Sequence, residues 1–311
     1  ATEVAGPTVD PRAFSFVVAG HTYGAHHGTN PGLYPKFLDV LRDQDGVGFL
    51  VLTGDFVREG TAEQFDAVTR DLSSVGIPYY LVLGNHDDTP RGRELLTERY
   101  GGTSYSFAIG AHLFVILDSQ RQPSSFDDQQ MAFLTARLGE RSWQSAFVFV
   151  HEVLWLGREE YAGIPANFGD DPAYRETSFW PRVFPLLEAH PEVEVFVVAG
   201  DVGGRPGAIP AFFDRVGNVS LVASGMGEVE DENLLRVDVS AEGISMTVVP
   251  LWNRKAPRPV EWFNPYNLRY RLPAECVQPG CALPREDEPE TGDETVEPGL
   301  WDRLMKTLGL R

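Results

Sequence analysis

Val47-Gly-Phe-Leu-Val-Leu-Thr-Gly-Asp55 and Tyr79-Tyr-Leu-Val-Leu-Gly-Asn-His-Asp87 carry the same design, and that design decides the fold of this 311-residue chain. Each is an apolar run, as a strand buried on both faces requires, that stops at a glycine followed at once by polar side chains. The pattern recurs outward in both directions. Phe14 to Ala19 leads into Gly20-His-Thr-Tyr-Gly24, Ala146 to Val150 into His151, and Val193 to Ala199 into Gly200-Asp-Val-Gly-Gly204. His112 to Leu117 reads as one more inner strand. Between these runs, apolar residues three and four apart predict helices at Pro35 to Arg42, Ala62 to Val75, Arg91 to Arg99, Asp127 to Leu138 and Phe179 to Ala189. Strand and helix in alternation define an α/β class. Asn218 to Ala223, Leu234 to Val239 and Ile244 to Leu251 read as later strands, the last two joined by Ser240-Ala-Glu-Gly243 as a hairpin.

These runs delimit one large domain over residues 12–252, preceded by a polar extension, 1–11. Within it, Glu152 to Thr177 has no clear period and is rich in Gly, Pro, Asp and aromatics. A loop that long is either a lid or wall over a site or a surface insertion. Residues 253–283 form a second extension holding Cys276 and Cys281, the only cysteines of the chain. A disulfide between them implies an oxidising compartment, whereas two free thiols imply nothing. Together with the polar start at Ala1, the disulfide reading points to export, periplasmic or extracellular; otherwise the protein is cytoplasmic. Residues 284–299 are an acidic, Pro- and Gly-containing stretch expected to be disordered. Residues 300–311 bring Leu300, Trp301, Leu304, Met305 and Leu308 to one face of a short helix. That face wants a surface, on the same chain, a second subunit or a membrane.

With 45 acidic against 26 basic residues the formal charge is −19, which repels a phosphate backbone and argues against a nucleic-acid face. A small anionic substrate would need a local cation, most simply a metal. No run reaches the roughly 18 apolar residues that span a membrane as a helix. The polar residues able to do chemistry lie beyond the carboxyl ends of the strands, where open α/β sheets place their sites. His21, Asp55, Asn85, His86, Asp87, His151 and Asp201 thereby share one rim. His112 and His190 lie away from it.

Val51-Leu-Thr-Gly-Asp55 with Gly60, Leu83-Gly-Asn-His-Asp87, Phe149-Val-His151 and the helix Asp127-Asp-Gln-Gln-Met-Ala-Phe-Leu134 resemble the motifs of the calcineurin-like metallophosphoesterases. The resemblance covers nearly all of residues 12–250. It implies a four-layer αββα sandwich of two mixed β-sheets flanked by helices, with a metal site at the sheet edge. It further implies Asp55 as a ligand bridging two metals, Asn85 and His151 on the second metal, and His86 as the acid. Asp87 would orient His86 through its other ring nitrogen.

The sequence departs from that family at two motifs. Where the family has Asp-x-His, His21-Thr22-Tyr23 stands; where it has Gly-His-x-His, Gly200-Asp201-Val202-Gly203 stands. Asp201 would then join Asp55, Asn85 and His151 around one ion. His21 and Tyr23, with His26 or His27, would rebuild the other pocket from softer donors that favour manganese, iron or zinc over magnesium. The bland alternatives are that His21 hydrogen-bonds a strand end, Tyr23 packs its ring, Asp201 caps a turn and the paired histidines are exposed. The expected function is a metal-dependent phosphoric-ester hydrolase, a phosphomonoesterase or phosphodiesterase holding one or two divalent or trivalent ions and acting on a small phosphorylated substrate. The alternative is a repurposed or inactive member of the fold that binds a partner.

Overall fold

A computed structural model describes residues 1–24, 30–120, 125–167, 177–204, 207–227, 232–252 and 255–269. The paired histidines His26 and His27, the cysteine pair, the acidic stretch and the C-terminal amphipathic segment lie outside these residues. In chain order the elements are β1 (Thr2–Glu3), β2 (Phe14–Ala19), α1 (Pro35–Arg42), β3 (Val47–Leu52), α2 (Ala62–Val75), β4 (Tyr79–Leu81), α3 (Pro90–Tyr100), β5 (Tyr105–Ile109), β6 (His112–Ile116), α4 (Asp128–Gly139) and β7 (Ser145–Phe149). Then come α5 (Phe184–Glu188), β8 (Glu194–Ala199), β9 (Ala211–Val216), β10 (Val219–Ser224), β11 (Asn233–Ser240), β12 (Gly243–Pro250), β13 (Arg258–Pro259) and α6 (Pro265–Arg269). No helix among the described residues is long and apolar enough to cross a membrane.

The strands make two mixed sheets, one of seven strands in the order β1-β5-β6-β7-β8-β10-β9 and one of six in the order β13-β12-β11-β2-β3-β4. Strands β2, β3 and β4 run parallel, as do β6, β7, β8 and β10. Parallel neighbours need a crossover of fixed hand, so α1 and α2 fall on one face of their sheet. Its other face meets the second sheet through rings: Phe16 and Phe49 stack at 4.7 Å, and Phe49 and Phe16 stand edge-on to Phe114 and Phe147 at 5.5 and 5.3 Å. Across the second sheet Phe107, Phe114, Phe147 and Phe196 stack in a row at 4.7 to 5.0 Å. This is the αββα architecture implied by the motifs.

Local chemistry explains where the helices begin. Thr61, Thr89 and Asp127 each accept a hydrogen bond from the backbone N–H three residues on, and Gly76 and Gly101 close α2 and α3 in the left-handed conformation. The expected helix Phe179 to Ala189 is instead a π-turn over Phe179–Val183 followed by the short α5. Pro181 and Pro185 lack the N–H groups that a continuous α-helix would use. Two short strands escaped the sequence pattern, and each sits in a two-residue hairpin: β5 and β6 meet across Gly110 and Ala111, β9 and β10 across Gly217 and Asn218. The boundaries drawn at residues 12 and 252 also move. Thr2 and Glu3 pair with Tyr105 and Ser106, and β13 pairs with β12, so both extensions contribute strands to the sheets.

The carboxyl ends of strands from both sheets converge at one edge. Gly20 and Gly200 face each other there, and a methyl group on Gly200 would run into the Thr53 carbonyl oxygen. Gly200→Ala should therefore cost about 1–3 kcal/mol of stability in denaturant unfolding. Gly139→Ala, at an exposed position in α4 with nothing near its would-be Cβ, should instead add about 0.5–1 kcal/mol. Equal effects of the two would contradict this account of the sheet edge.

Candidate metal centre

Asp55 stands where β3 ends, with a left-handed backbone, φ 55°. Such a conformation costs a non-glycine residue of order 1–3 kcal/mol and persists only where neighbours hold it. The neighbour is Asp87. Its Oδ2 accepts hydrogen bonds from the N–H of Asp55 at 2.6 Å and of Gly84 at 2.9 Å, and its Oδ1 accepts from Phe56 at 3.0 Å and Val57 at 3.1 Å. His86 N–H in turn donates to Asp55 Oδ1 at 3.0 Å.

Two imidazoles close on the Asp55 carboxylate. His21 Nε2 lies 3.2 Å from Asp55 Oδ2, and His151 Nε2 lies 3.4 Å from Asp55 Oδ1. One donor atom from each of these three buried residues falls within 4.8 Å of the others. His151 Nδ1 donates to the Thr53 carbonyl at 2.9 Å and His21 Nδ1 to the Val202 carbonyl at 2.9 Å. A carbonyl oxygen can only accept, so both Nδ1 atoms carry protons. Each Nε2 then faces carboxylate oxygen either as the second proton donor of an imidazolium or, with its lone pair free, across a bound cation. The donor set of imidazole nitrogen and carboxylate oxygen suits zinc, iron or manganese.

Asn85 and Asp201 stand at the margins of this cluster. Asn85 Oδ1 is 3.0 Å from His151 Nε2, on the side expected for it. Asp201, expected beside Asn85 and His151, turns its Oδ1 toward His21 Nε2 at 3.4 Å. Asn167, from the long segment after His151, was not singled out in the sequence; it donates from Nδ2 to Asp201 Oδ1 at 2.8 Å and accepts at Oδ1 from Gly204 N–H at 2.7 Å. The described part of that segment is a packed wall rather than a surface insertion. Val153, Leu154, Trp155 and Tyr161 are buried in it, and Tyr161 Oη donates to Asp214 at 2.7 Å.

Two expected roles change. Asp87 does not orient His86, because both its oxygens are committed to backbone N–H groups; the Arg58 carbonyl holds His86 Nδ1 at 2.5 Å instead. Tyr23 contributes a ring, 5.4 Å from His86 and 6.0 Å from His21 between centroids, with the Arg58 guanidinium 5.4 Å over it. Burial, reinforced by the Asp55 charge, raises the Tyr23 hydroxyl above its usual range. His112 and His190 are remote, the first bonded to Ser145 and the second beside Glu192.

The charges respond to this crowding. Burial alone would lower the His21 imidazolium, yet hydrogen bonds to Asp201 and Asp55 overcome it and raise its pKa to about 10. Burial would likewise raise Asp55, but His151, His21 and His86 hold it well below the usual carboxylate range. Asp87 is pushed up to about 7 by burial and by repulsion from Asp55, against its backbone hydrogen bonds.

Residues 16–158 match the family profile of calcineurin-like phosphoesterases, which bears out the resemblance read from the Gly54-Asp55 and Gly84 to Asp87 motifs. Among solved structures, a purple acid phosphatase from yellow lupin (Lupinus luteus) seeds is similar at 14% identity with a TM-score of 0.55 over 90% of this chain. The present chain spans 59% of that one's length. Vacuolar Protein Sorting 29 of Cryptosporidium parvum is similar at 11% identity and a TM-score of 0.39, over 80% of this chain and 98% of that one. Vps29 of Chaetomium thermophilum gives 10% and 0.36, over 79% and 93%. No curated protein sequence matches. The fold is thus that of the metallophosphoesterases.

The raised pKa of His21 has a stability consequence in chelator-treated protein. The folded chain keeps a proton that the unfolded chain releases above about 6.5, so this contribution is complete below 6.5 and lost as pH rises through about 10. Denaturant unfolding between pH 7 and 10 should show stability falling by up to ~1.4 kcal/mol per pH unit. His21→Ala should flatten that slope; an unchanged slope would contradict the assignment.

Proposed function

We propose that the protein is a metal-dependent phosphoric-ester hydrolase acting on a small phosphorylated substrate. The observation that carries this reading is the pair of imidazole Nε2 atoms facing both oxygens of the buried Asp55 carboxylate, within a calcineurin-like phosphoesterase segment. His21, Asp55, His151 and the adjoining Asn85 and Asp201 would hold one or two ions. Metal bound there supplies Lewis-acid activation of water and neutralises phosphoryl charge.

The chain's own residues supply the rest. Asp55 presents one oxygen to each histidine and so can be shared between two positions. His86 is only part-buried, and its Nδ1–H is committed to the Arg58 carbonyl. Its Nε2, 3.9 Å from Asp55 Oδ2, is the atom left to hold a proton for the leaving oxygen. Tyr23 and the side chain of Arg58 border that position. The overall charge of −19 disfavours anions, so the substrate is drawn by the centre itself rather than by the surface.

Asp55→Asn should abolish metal-dependent hydrolysis across a panel of aryl phosphomonoesters and diesters; full turnover in that variant contradicts the proposal. His86→Ala should lower turnover by about 10²–10⁴-fold with metal content, counted by elemental analysis, unchanged. Metal loss in step with activity would make His86 a ligand instead of an acid.

A further inference from the structure

Asn167 lies outside the strand-end motifs, yet its amide is locked into the centre. Gly204 N–H can only donate, so the oxygen bonded to it at 2.7 Å must be Asn167 Oδ1, and the amide nitrogen is directed the other way. There it meets Asp201 Oδ1 at 2.8 Å and lies 3.3 Å from His21 Nε2. Asp201 is 6% exposed and faces the His21 imidazole at 3.4 Å, so a donor fixed on one of its oxygens decides which way the carboxylate turns.

The space that Asn167 occupies exists because residue 204 is glycine. A Cβ there would lie 2.5 Å from Asn167 Nδ2, 3.0 Å from its Cγ and 3.0 Å from His21 Cε1. The neighbouring Gly203 has φ 77°, and a Cβ on it would press on the carbonyls of Gly225 and Met226 at 3.1 Å. Residues 203 and 204 therefore send no side chain past Asp201 toward His21. A side chain from another segment fills the gap.

We infer that Asn167 is a positioning residue of the metal centre: seated against Gly204, it holds Asp201 so that the carboxylate can bind an ion together with His21 and Asp55. This rests on the metal-centre reading above. It also couples the packed segment of residues 152–167 to the ion, because ordering Asn167 and seating the ion favour each other. Partners of this kind, which orient a ligand without touching the metal, typically change affinity 10–100-fold when removed.

The test is a calorimetric titration of manganese(II) into chelator-stripped full-length protein, with thermal unfolding of each stripped variant alongside. Asn167→Ala should weaken manganese binding about 10–100-fold while the stripped variant melts near the wild type. Gly204→Ala acts from a different segment by displacing the same amide and, because its Cβ also approaches His21 Cε1, should weaken binding by at least that factor. The double variant should bind no more weakly than the worse single one, since both remove one interaction. Asn167→Ala within twofold of wild type, or losses that multiply in the double variant, overturns the inference and leaves the metal centre standing. If Asn167→Ala fails to fold, Asn167→Ser, whose hydroxyl is too short to replace the amide on Asp201, decides by the same criterion. A wild type that binds no manganese, zinc or iron overturns both.

Discussion

The Asp87 carboxylate is the constraint on which the site depends. It takes four backbone N–H groups, three from the turn after β3 and one from the turn after β4, and so ties the ends of two adjacent parallel strands into one rigid corner. Asp55 can keep its left-handed backbone because that corner fixes the N–H on either side of its strain. With the backbone held and His86 N–H donating to its Oδ1, the Asp55 carboxylate has one orientation. A side chain that does no chemistry itself therefore sets the geometry of the one that does.

From that corner the centre is assembled across both sheets. Asp55, Asn85 and His21 follow strands of the six-stranded sheet, and His151 and Asp201 follow strands of the seven-stranded one. They can meet only because glycines at the strand ends let two backbones touch: Gly20 lies against Gly200, and Gly54 against the His151 ring. The imidazoles are then oriented from behind by backbone carbonyls, which fixes their tautomers and turns Nε2 inward. A buried carboxylate with two imidazoles turned onto it defines a place for positive charge, whether protons or a metal ion. The raised pKa of His21 and the lowered one of Asp55 express the same demand.

Much of this was legible in the sequence because the residues concerned end long, fully buried strands. Asp55, Asn85, His86 and His151 each follow an apolar run directly, so their place on the rim follows from strand direction alone. Asp87 follows His86 in the same way, yet its side chain points back under β3; which way a turn residue faces is a matter of tertiary packing that adjacency cannot reveal. Asp201 shows a similar gap, since it leans toward His21 rather than His151. Asn167 was invisible because its segment has no period and its importance comes from the glycine opposite. The strands β5 and β9 were readable in principle, from Gly110-Ala111 and Gly217-Asn218 between two short apolar runs. Pro181 and Pro185 likewise warned that the helix expected at 179–189 would not be regular.

The central claim is that His21, Asp55 and His151 enclose a metal position. Anomalous X-ray diffraction from crystals grown with manganese or zinc tests it most directly. The account predicts a strong peak among His21 Nε2, His151 Nε2 and the Asp55 carboxylate. Fully ordered side chains with no peak between them, at saturating metal and near-neutral pH, would contradict it.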